Sequence, residues 1–399
     1  MEMSVIFAFV VCAGFLAIGD VISNMTKAFI PSVFVAAALF LAGFWTFLPE
    51  TVDVIAGLGM PVALMSMYLL LVHVGTLSSA RELASEWRTV ATALAGIGGM
   101  ILFLLTIGRL LVGWQTVIAG TPPLTGGIVA ALIMNQAAEK AGLTSLAVLA
   151  IVLYVMQGFA GYPLTALALK KEGLRLRAIY RNDPEETKRL VDDRPPRGDL
   201  APRGRLQFIP PTPEKYQTTF VSLTKTGMVA WAAVGFSKLT GGAVNQFVVC
   251  MMFGVIAAEI GFLERRPLVR NQSFGYMILA LMTYVLVQLS KSTPRMLAEI
   301  AGPLAVIIVV GVAGMAAASM LIGELLGYSR SMAFALSLTA LYGFPPNYIL
   351  TDEASKALAD SPEEYDFLMD QMLPKMLIGG FTSVTIVSVI IAGFFAKLL

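Results

Sequence analysis

Charge is scarce in this chain. Asp, Glu, Lys and Arg make up 14% of its 399 residues and 57% are hydrophobic, whereas soluble domains carry roughly 25% charged residues. A water-solvated surface cannot be built from that supply, so the chain reads as an integral membrane protein. Histidine occurs once, at His73, and cysteine twice, at Cys12 and Cys250. One histidine cannot build a histidine-rich metal centre. The two cysteines lie in apolar runs in opposite halves, which argues against a disulfide framework and against thiolate metal ligands. A Ser/His/Asp set, a His-x-x-x-His or Cys-x-x-Cys pair and a phosphate loop ending in Gly-Lys-Ser/Thr are all missing, so no enzyme activity is expected. A net charge of +2 without a basic patch gives no reason to expect a nucleic-acid partner.

What is present is a series of apolar runs about 20 residues long, the length a helix needs to cross the hydrocarbon core. A transmembrane barrel would instead show ~10-residue alternating segments. In the first half the spans fall near 4–23, 29–48, 54–75 and 89–112. An interrupted segment follows at 115–138, then a span at 143–169. The second half repeats this order: spans near 219–238, 242–262, 273–290 and 300–326, an interrupted segment at 329–350, and a span at 374–397. The N-terminal Met-Glu-Met-Ser carries no basic region, so 4–23 is expected to be a retained span and not a signal peptide. Three regions are therefore expected: a first membrane repeat over 1–169, a polar linker over 170–217 and a second membrane repeat over 218–399. The linker holds twelve Lys/Arg, eight Asp/Glu and seven prolines, with a short helix expected from Glu185 to Val191.

Charge also orients the chain. If each interrupted segment enters and leaves on one side, each half crosses the bilayer five times. Two such halves joined by a linker that does not cross have opposite orientations. With the linker on the cytoplasmic side, only Arg109, Lys140, Lys238, Lys291, Arg295 and Lys397 of the 28 Lys and Arg residues fall outside, as the positive-inside rule prefers. The expected fold is thus all-α and integral to the cell (inner) membrane: ten transmembrane helices in two inverted five-helix repeats, each with a re-entrant broken hairpin, and both termini outside.

The interruptions carry the chemistry. Free backbone N–H and C=O groups survive at membrane depth only where they line a cavity or are buried in protein. Paired breaks at matching positions in two halves mark the binding site of a secondary transporter. The first break reads Gly-Thr-Pro-Pro-Leu-Thr-Gly-Gly over 120–127. Pro122 and Pro123 cannot continue a helix behind them, and Gly126 and Gly127 permit unusual backbone angles and close ligand approach. A helix from Thr125 onward would present amides and a positive dipole end to a carboxylate, with Thr121, Thr125 and Asn135 as further polar groups. The second break reads Tyr-Gly-Phe-Pro-Pro-Asn-Tyr over 342–348. Carbonyls near Gly343 and Phe344, the Asn347 amide, Thr351 and Asp352 would form an oxygen-rich site for a small hard cation. A competing reading makes Asp352 part of the cap of a surface helix over 352–360, and the first break a kinked structural helix. Other polar groups interrupt apolar spans: Asp20, Asn24, His73, Gln157, Tyr162, Asn245, Gln246, Glu259, Gln288 and Glu324. Such groups are functional candidates, although most lie within a turn or two of an interface. Gln157 is deeper and could line the cavity.

The layout resembles that of the bacterial sodium:glutamate symporters and, more distantly, the sodium:citrate carriers. Ile30 to Ala37 resembles that family's Ile-Pro-x-Pro-x-x-Gly-Gly opening of the second span, and Val74-Gly75-Thr76 through Ser85 to Val90 its Ile-Gly-Leu segment after the third. Ala119 to Ala131 and Phe344-Pro345-Pro346-Asn347 fall at its two hairpins. Ala301-Gly302-Pro303-Leu304 falls at the start of the ninth span and Pro374 at the start of the last. The family's Gly-Gly-His-Gly-like signatures are not kept: Ile128-Val129 follow Gly126-Gly127, and the second hairpin has no histidine. The resemblance implies alternating access, coupling to Na⁺ and a homodimer in the lipid bilayer. The expected function is secondary active transport of a small organic anion or amino acid, glutamate-like. A passive channel or a membrane scaffold subunit without transport is the alternative. Apart from Na⁺ as coupling ion, no cofactor or metal is expected.

Overall fold

The computed structural model describes residues 3–77, 86–192, 209–210, 213, 216–240, 246–382 and 387–399. Arg81, Ser85, Asn245 and the linker prolines at 195, 196, 202 and 211 lie outside these residues. Every described regular element is helical. In chain order these are α1 (Val5–Met25), α2 (Ser32–Phe44), α3 (Met60–Gly75), α4 (Trp87–Val112, with a π-helical turn at Leu104–Gly108), α5 (Trp114–Leu124), α6 (Ile128–Lys140), α7 (Thr144–Asn182) and α8 (Pro184–Asp192). They continue with α9 (Thr219–Leu239), α10 (Gln246–Glu259), α11 (Phe274–Val287, ending in a 3-10 turn at Gln288–Lys291), α12 (Pro294–Leu325), α13 (Arg330–Leu338, with a 3-10 turn at Thr339–Leu341), α14 (Pro346–Leu358), α15 (Pro362–Thr382) and α16 (Ser388–Phe395). Four-residue turns stand at Val52–Ile55 and Pro267–Arg270.

Among the described residues, five helical stretches are long and apolar enough to cross a membrane: Val5–Met25, Trp87–Val112, Thr144–Asn182, Phe274–Lys291 and Pro294–Leu325. Shorter apolar helices are Ser32–Phe44, Met60–Gly75, Gln246–Glu259 and Arg330–Leu341. These fit a multi-pass helical membrane protein. Large apolar side chains stay exposed on such helices, among them Ile6, Phe7 and Val10 of α1 and Leu102, Leu110 and Leu111 of α4, as lipid contact requires.

Three boundaries differ from those drawn on hydropathy. Helix α7 does not stop at 169 but runs to Asn182, so the first thirteen residues assigned to the linker are helical. The segment from Ala166 to Arg181 is rich in Ala, Leu, Lys and Arg, all strong helix formers, and the Asp183-Pro184 step ends it because the residue before proline avoids the helical region. Helix α12 starts at Pro294, not near 300. Its start is set by the Thr293 hydroxyl, which accepts the Met296 N–H at 3.2 Å, and by proline at the first helical position. Helix α15 likewise starts at Pro362, where the Ser361 hydroxyl accepts the Glu364 N–H at 3.2 Å, so Pro374 lies inside a helix and does not open one. The short linker helix expected at Glu185–Val191 is present as α8.

The chain forms two compact units. The first comprises Met1–Cys12, Thr51–Ser85 and Asn182–Val285, and the second Ala13–Glu50, Glu86–Arg181 and Leu286–Leu399. In the first unit α3 packs against α10 through reciprocal glycines. A Cβ on Gly75 would lie 2.1 Å from the Met251 carbonyl, and one on Gly254 2.2 Å from that of Val72. His73 is buried there as a structural residue, its Nδ1 accepting the Leu268 N–H at 3.3 Å and its ring 5.2 Å from that of Phe274. In the second unit α4 crosses α12 at Gly99 and Gly314, each meeting the other's backbone carbonyl, the close approach that small residues permit between membrane helices. Both interrupted segments belong to this second unit.

Candidate functional site

The first interruption lies later than the prolines suggest. Pro122 and Pro123 occupy the last turn of α5, where they cannot donate the bonds that would close helical rings at Ile118 and Ala119. The chain breaks over Thr125–Gly127, with Gly126 at φ 91° and Gly127 at φ 87°, angles that disfavour any side chain. Helix α6 therefore begins at Ile128, not at Thr125. The hydroxyls of Thr121 and Thr125 turn back into their own helix, donating to the Val117 carbonyl at 2.7 Å and the Pro122 carbonyl at 2.6 Å. Asn135 faces the start of α7 and donates to the Ala147 carbonyl at 3.0 Å. The hairpin is seated on apolar groups: Ile118, Ala130 and Met134 are packed with Ala150, Ala392 and Phe395.

The second interruption spans Tyr342 to Pro345, with Gly343 at φ 64° and a cis Phe344–Pro345 peptide bond. Its polar groups are largely engaged. The Gly343 carbonyl accepts the Asn347 N–H at 3.2 Å. The Asn347 side chain donates to the Met376 carbonyl at 3.1 Å and accepts the Tyr348 N–H at 2.8 Å. The Thr351 hydroxyl donates to the Asn347 carbonyl at 2.7 Å. Phe344 stacks on Phe381, ring centroids 6.0 Å apart. These contacts tie the break to α15, and Gly380 allows the approach, since a Cβ there would stand 2.7 Å from the Asn347 amide nitrogen. Helix α7 packs on the other side of the break. The Tyr342 hydroxyl donates to Thr165 Oγ1 at 2.8 Å, its ring lies 5.4 Å from that of Tyr162, and Gly161 makes room for it. One turn earlier on α7, Gln157 is buried and its Oε1 has no hydrogen-bond partner among the described residues. Gln157 and Tyr162 thus lie on the helix that supports this break.

Gly343, Phe344, Asn347 and Thr351 are therefore brought together, while Asp352 lies on another face of α14. Its carboxylate accepts the Tyr365 hydroxyl at 2.6 Å and the Lys356 ammonium at 2.7 Å. It also lines a pocket of about 400 Å³, within the usual range for small-ligand sites. The walls come from the end of α1 and from α14, and each offers the same pattern. Asp20, Ser23, Asn24 and Lys27 follow one another at i, i+3, i+4 and i+7, as do Ile349, Asp352, Glu353 and Lys356. That spacing puts the α14 set, and Asp20, Ser23 and Asn24 of α1, each on one helical face, with Lys27 in the turn that follows α1. Glu353 has a structural task as well. Pro31 precedes α2 without a side-chain cap, and both Glu353 oxygens lie 3.2 Å from the Ser32 N–H, placing a carboxylate at the positive end of that helix. Burial, assisted by the Asp20 carboxylate, pushes the Glu353 carboxyl up to about 7 against the opposing hydrogen bonds from Ser32 and Ser23.

The sequence reading singled out Asp20, Asn24 and Asp352 separately but missed Ser23, Lys27, Glu353 and Lys356 as parts of one site. The signal was the repeated polar stripe, visible in each helix and without meaning until the two are paired. No protein-family model and no curated protein matches this chain.

Proposed function

We propose that this protein is a secondary active transporter that moves a small organic anion or amino acid across the cell membrane by alternating access, coupled to a cation gradient. In this reading ten transmembrane helices form two inverted five-helix repeats, the termini lie outside, the 170–217 region is cytoplasmic and the protein works as a homodimer. The carrying observation is that both interrupted segments, broken at Thr125–Gly127 and Tyr342–Pro345, belong to one compact unit. Interrupted helices of this kind supply backbone groups to cargo and coupling ions in carriers. Na⁺ is the coupling ion that the symporter resemblance implies, with the second break as its place. The test is uptake of labelled glutamate, other amino acids and di- and tricarboxylates into proteoliposomes under imposed Na⁺ or H⁺ gradients. Saturable uptake that collapses with the gradient is the expected result. Indifference of every solute to both gradients sinks the reading, and flux that never saturates identifies a pore instead.

A further inference from the structure

The start of α9 carries a smaller cavity, of about 80 Å³, in the first compact unit. Its walls include Gln217, Thr218 and Ser222 at the head of that helix and Glu264, Arg270 and Asn271 across from it. It is well below the size of an ordinary small-ligand site and has room for one compact group. Its chemistry suits an anion. Thr218 Oγ1 accepts the Val221 N–H at 3.3 Å, and the amides of Thr219 and Phe220 precede it at the tip. The first amides of a helix have no partner within it and carry its positive dipole end. Arg270 is exposed on the opposite wall, and its five N–H donors can serve protein and ligand together. The acid on the wall, Glu264, is answered by the Lys225 ammonium at 2.9 Å. Over 261–273 three arginines stand against that single acid, so the local field is positive. The turn that carries Arg270 is also fixed in place. The Arg266 N–H donates to Thr76 Oγ1 at 3.2 Å and the Leu268 N–H to His73 Nδ1 at 3.3 Å, and a preorganised wall loses little freedom on binding.

The rim indicates what bears the anion. Val221 on the wall and Val269 beside Arg270 are both exposed. From this lip an exposed apolar face continues along α9 through Phe220, Met228 and Trp231, whose spacing puts them on one side of the helix. Tyr216, also exposed, stands just ahead of α9, as aromatic residues do at a membrane interface. A soluble anion would use the polar walls and gain nothing from the apolar face. A phospholipid uses both. Basic pockets beside membrane helices on the cytoplasmic side hold anionic head groups, and the proposed topology puts the start of α9 on that side. We propose that this cavity binds the phosphate of an anionic phospholipid at Arg270 and the first amides of α9, with the acyl chains lying on the exposed apolar face of that helix.

The site requires a membrane setting but neither cargo nor coupling ion, so its failure leaves the transporter reading standing. The purified full-length chain in detergent is stripped of lipid and titrated with short-chain phosphatidylglycerol, with phosphatidylcholine of the same chain length and with inorganic phosphate. Binding is read from the rise in melting temperature, and retained lipid is counted by native mass spectrometry. Phosphatidylglycerol is expected to bind, and the other two at least tenfold more weakly. Arg270→Gln is expected to raise Kd tenfold or more. Thr219→Glu is expected to do the same without loss of stability, because a carboxylate in the first turn of a helix suits its dipole while it repels a phosphate. Lys238→Gln, at the other end of α9, removes the same charge as Arg270→Gln and leaves binding unchanged. An unaltered melting temperature without lipid shows that a variant is folded, and if Arg270→Gln melts early, Thr219→Glu decides. Equal binding of phosphatidylcholine overturns the proposal. Equal binding of inorganic phosphate makes the occupant a soluble anion and overturns the lipid. Absence of phosphatidylglycerol binding, or a Kd indifferent to the folded variants, removes the site.

Discussion

Glu353 shows how one residue acquires a property that its position in the chain does not announce. The adjacent Asp352 has its charge answered by Lys356 and Tyr365, while Glu353 is turned toward α2 and withdrawn from water. Its carboxyl rises from an ordinary 4.5 to about 7, chiefly through burial. The folded state then holds the proton more tightly than the unfolded chain between those values. The resulting stability is fully present below about 4.5 and is lost as pH rises through about 7. Glu364 works in the opposite sense. Arg181 grips both its oxygens, at 2.7 and 2.8 Å, and these bonds hold its carboxyl below the usual carboxylate range. Its contribution is present at neutral pH and lost in acid. Thermal unfolding of the detergent-purified protein is expected to show a melting temperature that falls from pH 5.5 to pH 8. Glu353→Gln should flatten that slope and match or exceed the parent at pH 8. An unchanged slope in the variant removes Glu353 as its source. Of these properties the sequence displays only the presence of two acids side by side. The contact of Glu353 with Ser32 and the pairing of Glu364 with Arg181 each join residues more than 150 positions apart.

At the scale of elements, the two interruptions were legible because their cause is local. Glycines that tolerate positive φ and prolines that cannot donate a backbone bond act wherever they stand. Their details were not legible. Pro122 and Pro123 remain inside α5, and the break follows them at Gly126 and Gly127. The start of α15 at Pro362 was hidden because its first turns are polar, so hydropathy alone placed the segment outside the membrane helices. Packing between elements depends on small residues. The crossing of α4 and α12 has Gly99 so close that an added Cβ would stand 2.3 Å from the Gly314 carbonyl and 2.4 Å from the Ala318 Cβ. The obstruction is backbone, which cannot swing aside. Gly99→Val is expected to lower stability by about 1–3 kcal/mol, the usual cost of overpacking. Gly98→Val is the control, because nothing lies within 4 Å of the position its Cβ would take. Comparison of their melting temperatures with the parent checks this, and equal values would mean that the two helices can move apart freely.

At the scale of the whole molecule, the proposed inverted topology makes a prediction about sidedness. Native Cys12 and Cys250 are both buried, so a single introduced cysteine can be read against a quiet background. With a membrane-impermeant maleimide, Glu185→Cys on α8 should label only after the cells are opened, whereas Lys238→Cys near the end of α9 should label in intact cells. The reverse pattern contradicts the cytoplasmic linker, and labelling of both from one side means that α9 does not cross the membrane. Composition and the spacing of apolar runs were enough to make this a multi-pass helical membrane protein. The reason is that the bilayer acts on every residue independently and penalises each exposed polar group wherever it occurs. The helix breaks followed for the same kind of reason, since glycine and proline act through their own backbone. The pocket was decided by the tertiary structure alone. Asp20 on α1 and Lys27 just beyond it, and Asp352 and Lys356 on α14, are separated by more than 300 residues, and each set read alone is an ordinary polar cluster near a helix end. Packing set one cluster against the other, and only that pairing makes the cavity.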